Sequence, residues 1–175
     1  MSEQMLNPDL DYIFRRRSIR KYDAARPVEP EKVADLLKAA MAAQTARNSQ
    51  GWRFIVVDKR EDLDALAEHY PNAGMLKEAT LRTVPVRDLN DFYHHQHLAA
   101  ATQNILLAAP ALGLGTCWCG VNPDRHAWAH EFFGVPEGWW VHALIAAGYP
   151  LEAKPMNTWY DAAKVFHGKW EKGRE

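Results

Sequence analysis

The densest run of chemistry-bearing side chains is Arg15-Arg16-Arg17-Ser18-Ile19-Arg20-Lys21, five bases in seven residues. An extended backbone has a side-chain period of two, so Arg16, Ser18 and Arg20 would share one face. Two guanidinium forks beside a hydroxyl suit a phosphate or the electron-rich edge of a ring. The same run would also serve as a solvated basic turn complementing a helix C-terminus. A second cluster, Thr45-Ala46-Arg47-Asn48-Ser49-Gln50, stands directly before an apolar run. Asn48 and Gln50 each offer a donor and an acceptor, which matches the alternating edge of a heterocycle. These are equally the residue types of a plain turn. The third cluster is Gly113-Leu114-Gly115-Thr116-Cys117-Trp118-Cys119-Gly120. Glycines let a backbone approach a flat ligand, with amide hydrogens aimed at a ring atom. Helix capping alone would account for Gly113.

His94, His95 and His97, together with Cys117 and Cys119, are of metal-ligating types. Their spacing argues against a metal site. His95 and His97 lie too close along a helix to face one ion, and no H-x₃-H or C-x₂-C pair occurs. Cys117 and Cys119, the only cysteines, are one residue apart and form a poor disulfide candidate. A reducing, cytoplasmic setting is the corresponding expectation. No P-loop, dinucleotide fingerprint or nucleophile elbow is present.

These clusters need elements to position them. Asn7-Pro8 reads as the start of a short helix ending near Arg17, and Pro30 as the start of a second with Val33, Leu36, Leu37 and Ala40 inward. Residues 52–57 read as a buried strand. Asp58 and Glu61 form a capping box opening a helix with Leu63, Leu66 and Ala67 inward. Residues 80–86 suggest a strand that Arg82 and Pro85 push to an edge. The longest helical pattern covers about 90–112, is apolar nearly all round in its second half, and should be bent or shortened by Pro110 before Gly113. Residues 116–119 and 139–147 read as strands, with a helix from Asn122-Pro123 to Gly134 between them. Residues 151–175 form a polar tail. The fold class is α+β, in one domain over residues 1–175.

The chain has 175 residues, of which 47% are hydrophobic and 25% charged, as in an ordinary globular protein. Its net charge of −1 excludes a globally basic nucleic-acid binder. No apolar stretch is long enough to span a bilayer, and no secretory signal opens the chain.

In order and spacing the clusters resemble the nitroreductase family of FMN-dependent oxidoreductases, in its short single-domain form, over about residues 13–170. Arg16-Arg17-Ser18-Ile19-Arg20-Lys21-Tyr22 is similar to the family's N-terminal flavin-binding run. Residues 45–54 resemble its segment before the first central strand. Residues 99–120 resemble its central helix, glycine turn and flavin-facing strand. The resemblance implies a mixed β-sheet flanked by helices and an intertwined homodimer, with residues 151–175 reaching the partner subunit. It implies ping-pong electron transfer from NADH or NADPH through FMN to a small oxidised acceptor such as a nitroaromatic or a quinone.

By the same resemblance Arg16, Arg17 and Ser18 face the FMN phosphate and ribityl chain, and Arg20 the pyrimidine end, where a cation stabilises negative charge on the reduced ring. Asn48 and Gln50 reach the ring edge, often from the other subunit. Trp118, Cys119 and Gly120 line the ring. The Cys119 backbone N–H meets the hydride-accepting nitrogen, a backbone role rather than that of a thiol nucleophile. No catalytic side chain is implied. The chain departs from the family pattern at Arg82 and Pro85, at His97 (where an acid is expected) and at Trp159. Short members commonly carry a phosphate-holding Arg at the position of Trp159. Phosphate binding would then rest on Arg16 and Arg20, helped by Lys154 or Lys164. These departures motivate a second reading, a family member without turnover that binds flavin or another ligand.

Overall fold

Helix boundaries follow local chemistry. In the computed structural model, which describes residues 7–170 apart from 89 and 91, the Asn7 side chain accepts the Asp9 N–H and Pro8 occupies the first turn. The 3₁₀ turn Pro8–Leu10 runs into α1 (Asp11–Arg15). Pro30 opens α2 (Pro30–Met41), which buries Leu36 and Ala40. Helix α3 (Arg60–His69) buries Leu63, Leu66 and Ala67. It begins one residue later than Asp58 would require, with Lys59 at the cap position and no side-chain cap bond, so the capping box does not form. Glu61 meets the positive end of the helix dipole instead. The long apolar pattern forms α4 (His94–Ala108) and a 3₁₀ turn, Ala109–Leu112. Pro110 tightens that last turn and Gly113 closes it in the left-handed region at φ 73°. The turn Pro123–Arg125 leads into α5 (His126–Phe133).

Five strands, β1 (Arg53–Val57), β2 (Leu81–Asp88), β3 (Gly115–Gly120), β4 (Trp139–Val141) and β5 (Ala143–Gly148), build one sheet in the order β1-β2-β5-β3, with β4 also pairing β2. Every pairing between these strands is antiparallel, and the parallel component is the bridge from Ser18 to Thr116. Two expectations reverse here. Residues 80–86 form the central β2, buried along nearly its whole length, whereas β1 is an edge strand with only Val57 buried. Pro85 is tolerated because its side of the ladder falls at the break between β4 and β5. There its carbonyl accepts the His142 N–H at 3.0 Å and no Pro85 donor is needed.

Helices cover both faces of the sheet. On one, Leu36 and Ala40 of α2 and Leu98, Ala101 and Ile105 of α4 pack on Leu81, Ile145 and Ala147. On the other, Leu63 and Leu66 of α3 and Ala129 of α5 pack on Val84, Leu144 and Ala146. Among the described residues no helix is long and apolar enough to cross a membrane.

The outer edge of β3 is covered by residues 14–22, here the strap. Ile19 N–H donates to Thr116 O at 2.9 Å, and Tyr22 bridges Pro150. The start of the tail fastens the strap from outside. Leu151 N–H donates to Lys21 O, Asn157 N–H to Phe14 O, Lys154 Nζ to Ser18 O, and Arg17 Nη1 to Pro155 O. Gly115 makes this closeness possible, since a Cβ there would lie 2.8 Å from Ile19 Cβ. Gly115→Ala should therefore displace the strap and cost about 1–3 kcal/mol. Urea denaturation checks this, and an unchanged midpoint would refute the contact.

Candidate functional site

A cleft of about 410 Å³ opens at the end of the sheet, lined by Arg20 from the strap, Cys117 to Gly120 from β3, Tyr70, Met75 and Arg125. Its size suits a small ligand or part of a cofactor. The structure thus brings Arg20, Trp118, Cys119 and Gly120 together, with Ser18 one bridge away on Thr116. Arg16, Arg17 and Ser18 are half-buried and Arg20 is exposed. Lys154, on the Ser18 carbonyl, adds a cation to this group.

Backbone direction alternates along β3. The Thr116 carbonyl points outward to Ile19, so the amides of Trp118 and Gly120 point to the same outer edge. Cys117 and Cys119 direct theirs to β5, opposite Ala146 and Leu144. Of the amides of β3 that line the cleft, those of Trp118 and Gly120 therefore face the outer edge. A Cβ on Gly120 would meet nothing within 4 Å, so a flat group has room there.

Asn48 and Gln50 are not brought to this cleft. They sit in an exposed loop in which Arg47, Asn48 and Gln50 all have positive φ, between 42° and 55°. Non-glycine residues in this region are uncommon and cost about 1–3 kcal/mol each, and such strain gathers at functional sites. Among the contacts that hold the loop, Gln50 Nε2 donates to Asn48 Oδ1, Arg87 Nη2 to Ser49 Oγ, and Ala46 N–H to His97 Nε2 at 2.8 Å. The last explains the departure at His97. An unprotonated imidazole nitrogen supplies the acceptor that a carboxylate would supply.

Tyr70, Met75 and Arg87 carry no signal in the sequence, because each reaches the cleft or the loop from a distant element with no spacing signature. Arg82 is fully buried and does not line the cleft. His95, His126 and His142 belong to an aromatic cluster in which His126 and His95 pack on Trp140 and His142 on Trp118. Burial and neighbouring histidines hold His142 down at about 4, and His95 and His126 are lowered for the same reasons. Among the described residues no group of three or more His, Cys, Asp or Glu side chains is placed to hold a metal. Trp159 is 76% exposed, with Lys164 Nζ 4.3 Å over its ring.

A family profile described as the nitroreductase family matches residues 13–93 and 88–149. This chain belongs to that family. As a nitroreductase-family protein it is an oxidoreductase. An Archaeoglobus fulgidus protein, whose name pairs NADH dehydrogenase with NAD(P)H nitroreductase, is 37% identical over 92% of this chain and 98% of its own. A Parabacteroides distasonis structure of the same double name superposes with TM-score 0.88 at 36% identity, covering 94% of this chain and all of that one. A Desulfovibrio desulfuricans nitroreductase structure in complex with FMN gives TM-score 0.79 at 30% identity, covering 95% of this chain and all of that one.

Proposed function

We propose that this nitroreductase-family protein takes electrons from NADH or NADPH and delivers them through FMN to a small oxidised acceptor, a nitroaromatic, a quinone or a similar compound, by a ping-pong mechanism. The observation that carries this reading is the cleft beside β3, which Arg20 of the strap lines together with Gly120, whose α-carbon faces open space. When bound, FMN would supply the two-electron relay between nicotinamide and acceptor. Arg16, Arg17, Ser18 and Lys154 would hold the phosphate end, so the Arg that short members place at Trp159 is replaced in part by Lys154. Arg20 would hold the pyrimidine end, where its charge favours the reduced ring. The Gly120 N–H would hold the ring nitrogen.

In this reading the protein acts as a cytoplasmic homodimer, with Asn48 and Gln50 completing each site from the partner subunit. Two observations support the dimer. The Asn48–Gln50 loop is held in shape yet lies away from its own cleft, and the tail leaves Trp159, Tyr160 and Trp170 at least 67% exposed on the single chain. Such large apolar surface is ordinarily covered by a partner.

The test is a visible absorption spectrum of the purified protein, taken before and after addition of FMN and then, anaerobically, of NADPH. Flavin bands that bleach support the reductase and leave the acceptor to be found. Bound flavin that neither NADPH nor NADH bleaches favours a flavin-binding protein without turnover. An absence of flavin bands even with added FMN overturns the proposal. Arg20→Ala should weaken FMN binding by about ten- to a hundred-fold, and full retained affinity would remove Arg20 from the site.

A further inference from the structure

Arg20 and Gly120 supply the flavin contacts proposed above, and Arg125, a second cation lining the same cleft, has no part in them. It ends the turn Pro123–Arg125, and its side chain is 30% exposed. Its backbone is fixed at both ends: the Arg125 N–H donates to Asn122 O at 2.9 Å, and its carbonyl accepts the Tyr70 hydroxyl at 3.3 Å. The guanidinium carbon lies 5.7 Å over the centre of the Tyr70 ring. That ring is buried and meets Trp128 edge-on at 5.7 Å. A guanidinium packed over a locked aromatic ring is pre-organised, and its N–H groups stay available to a ligand. Among the described residues it makes no hydrogen bond. Its ion-pair partner, Asp124 Oδ2, lies 3.8 Å from Nε, beyond hydrogen-bond distance, on a side chain that is 72% exposed.

The surroundings add positive charge and little that cancels it. Among the described residues that line the cleft, Asp124 is the one acid, against Arg20 and Arg125. Behind the wall stands Arg82, fully buried, with no hydrogen-bond partner for its guanidinium nitrogens among the described residues. Arg82 pairs with Ala146 and Ala146 with Cys117, so Arg82 shares a sheet face with Cys117, which lines the cleft. Their α-carbons are two strand spacings apart, about 10 Å. Water screens a charge poorly at that range inside a protein, and a cleft of one sign concentrates ligands of the other.

We propose that Arg125 is a specificity-determining residue that binds a carboxylate on the electron acceptor, so that this site prefers small aromatic or quinoid acceptors carrying a negative charge. The assignment rests on the flavin-reductase function proposed above for the presence of an acceptor, and adds its charge. A planar guanidinium meets a carboxylate through two parallel N–H···O bonds, which orient the attached ring as well as hold it. The 2′-phosphate of NADPH offers a comparable anion. It sits on the adenosine half of the dinucleotide, however, away from the nicotinamide ring that must enter a cleft of about 410 Å³. A guanidinium at the cleft wall therefore faces the substituents of the ring that enters.

The test compares 4-nitrobenzoate with 4-nitrobenzamide, alike in shape and different in charge, at pH 7. It uses the purified, FMN-loaded full chain and its Arg125→Gln and Arg125→Lys variants. Two ratios are read: kcat/KM for the two acceptors, and their dissociation constants by titration calorimetry, which needs no turnover. General damage to the fold or loss of flavin lowers both members of a ratio together. The wild type should favour the benzoate about tenfold in both ratios. Arg125→Gln should bring both close to one, and Arg125→Lys, which keeps the charge, should retain part of the preference. Equal treatment of the two compounds by the wild type, or a preference that survives Arg125→Gln, would overturn the proposal. So would a loss confined to KM for NADPH relative to NADH, which would put the anion on the nicotinamide coenzyme. A calorimetric preference that Arg125→Gln abolishes, in a protein that neither NADH nor NADPH reduces, would uphold the role of Arg125 and overturn the reductase function alone.

Discussion

Replacing Arg82 with methionine is expected to stabilise the protein by about 1–4 kcal/mol, an unusual direction for a change at a fully buried position. The guanidinium is removed from water without a hydrogen-bond partner among the described residues, and burial alone pulls it down to about 9. Methionine has comparable length and flexibility, so it can fill the space beneath Ala146 and beside Tyr70 without leaving a void. Urea denaturation at pH 7 checks this. A destabilisation beyond 1 kcal/mol would mean that Arg82 has a fixed partner of greater value than its desolvation costs.

Acid should unfold the protein early. The unfolded His142 binds a proton near 6.5, whereas the folded one, enclosed by Trp118 and facing His94 and His95, does so only near 4. Between these values the unfolded state holds more protons, so stability is intact above about pH 6.5 and is lost as pH falls towards 4. His95 and His126 act in the same direction. For His142 the loss is about 2–3 kcal/mol, reduced from the full shift because the ring is half-buried. Glu29 and Glu152 are lowered below 4.5 by hydrogen bonds from Tyr149 and from the Arg20 backbone, so their contribution is lost only in more acidic solution. Melting temperatures from pH 7.5 to 4 separate the two windows, and His142→Phe should flatten the upper one. Parallel curves for the two proteins would exclude His142 as the cause.

The helices were legible in the sequence because their punctuation is local. Asn7-Pro8, Pro30, Gly113 and Gly134 act within a turn of where they stand. Strand order was not, because what makes β2 central is remote from it. Helices α3 and α5 bury Arg82 and Val84, and the break at His142 excuses Pro85. The strap and β3 could be read because their residues are contiguous in sequence. Tyr70, Met75 and Arg125 join them from two other segments, and nothing in their spacing announces a common destination. Which of Cys119 and Gly120 faces outward depends on the phase of the β3–β5 ladder, which the strand's own composition does not reveal.

The strap also dictates when the cleft can come into being. Three of its fastenings join residues 132 to 138 positions apart, from Arg20 to Glu152, Ser18 to Lys154 and Arg17 to Pro155. Contacts of such long sequence separation form late, since the loop-closure entropy is lost before they return anything. On a ribosome the basic run emerges before β3, β5 and the segment after Pro150, and must wait until they have followed. The cleft is then the last part of the protein to close. A ligand gripping Ser18 and Arg20 would act as a clasp on that final docking, slowing the release of the strap while leaving the opening of the sheet's centre unchanged.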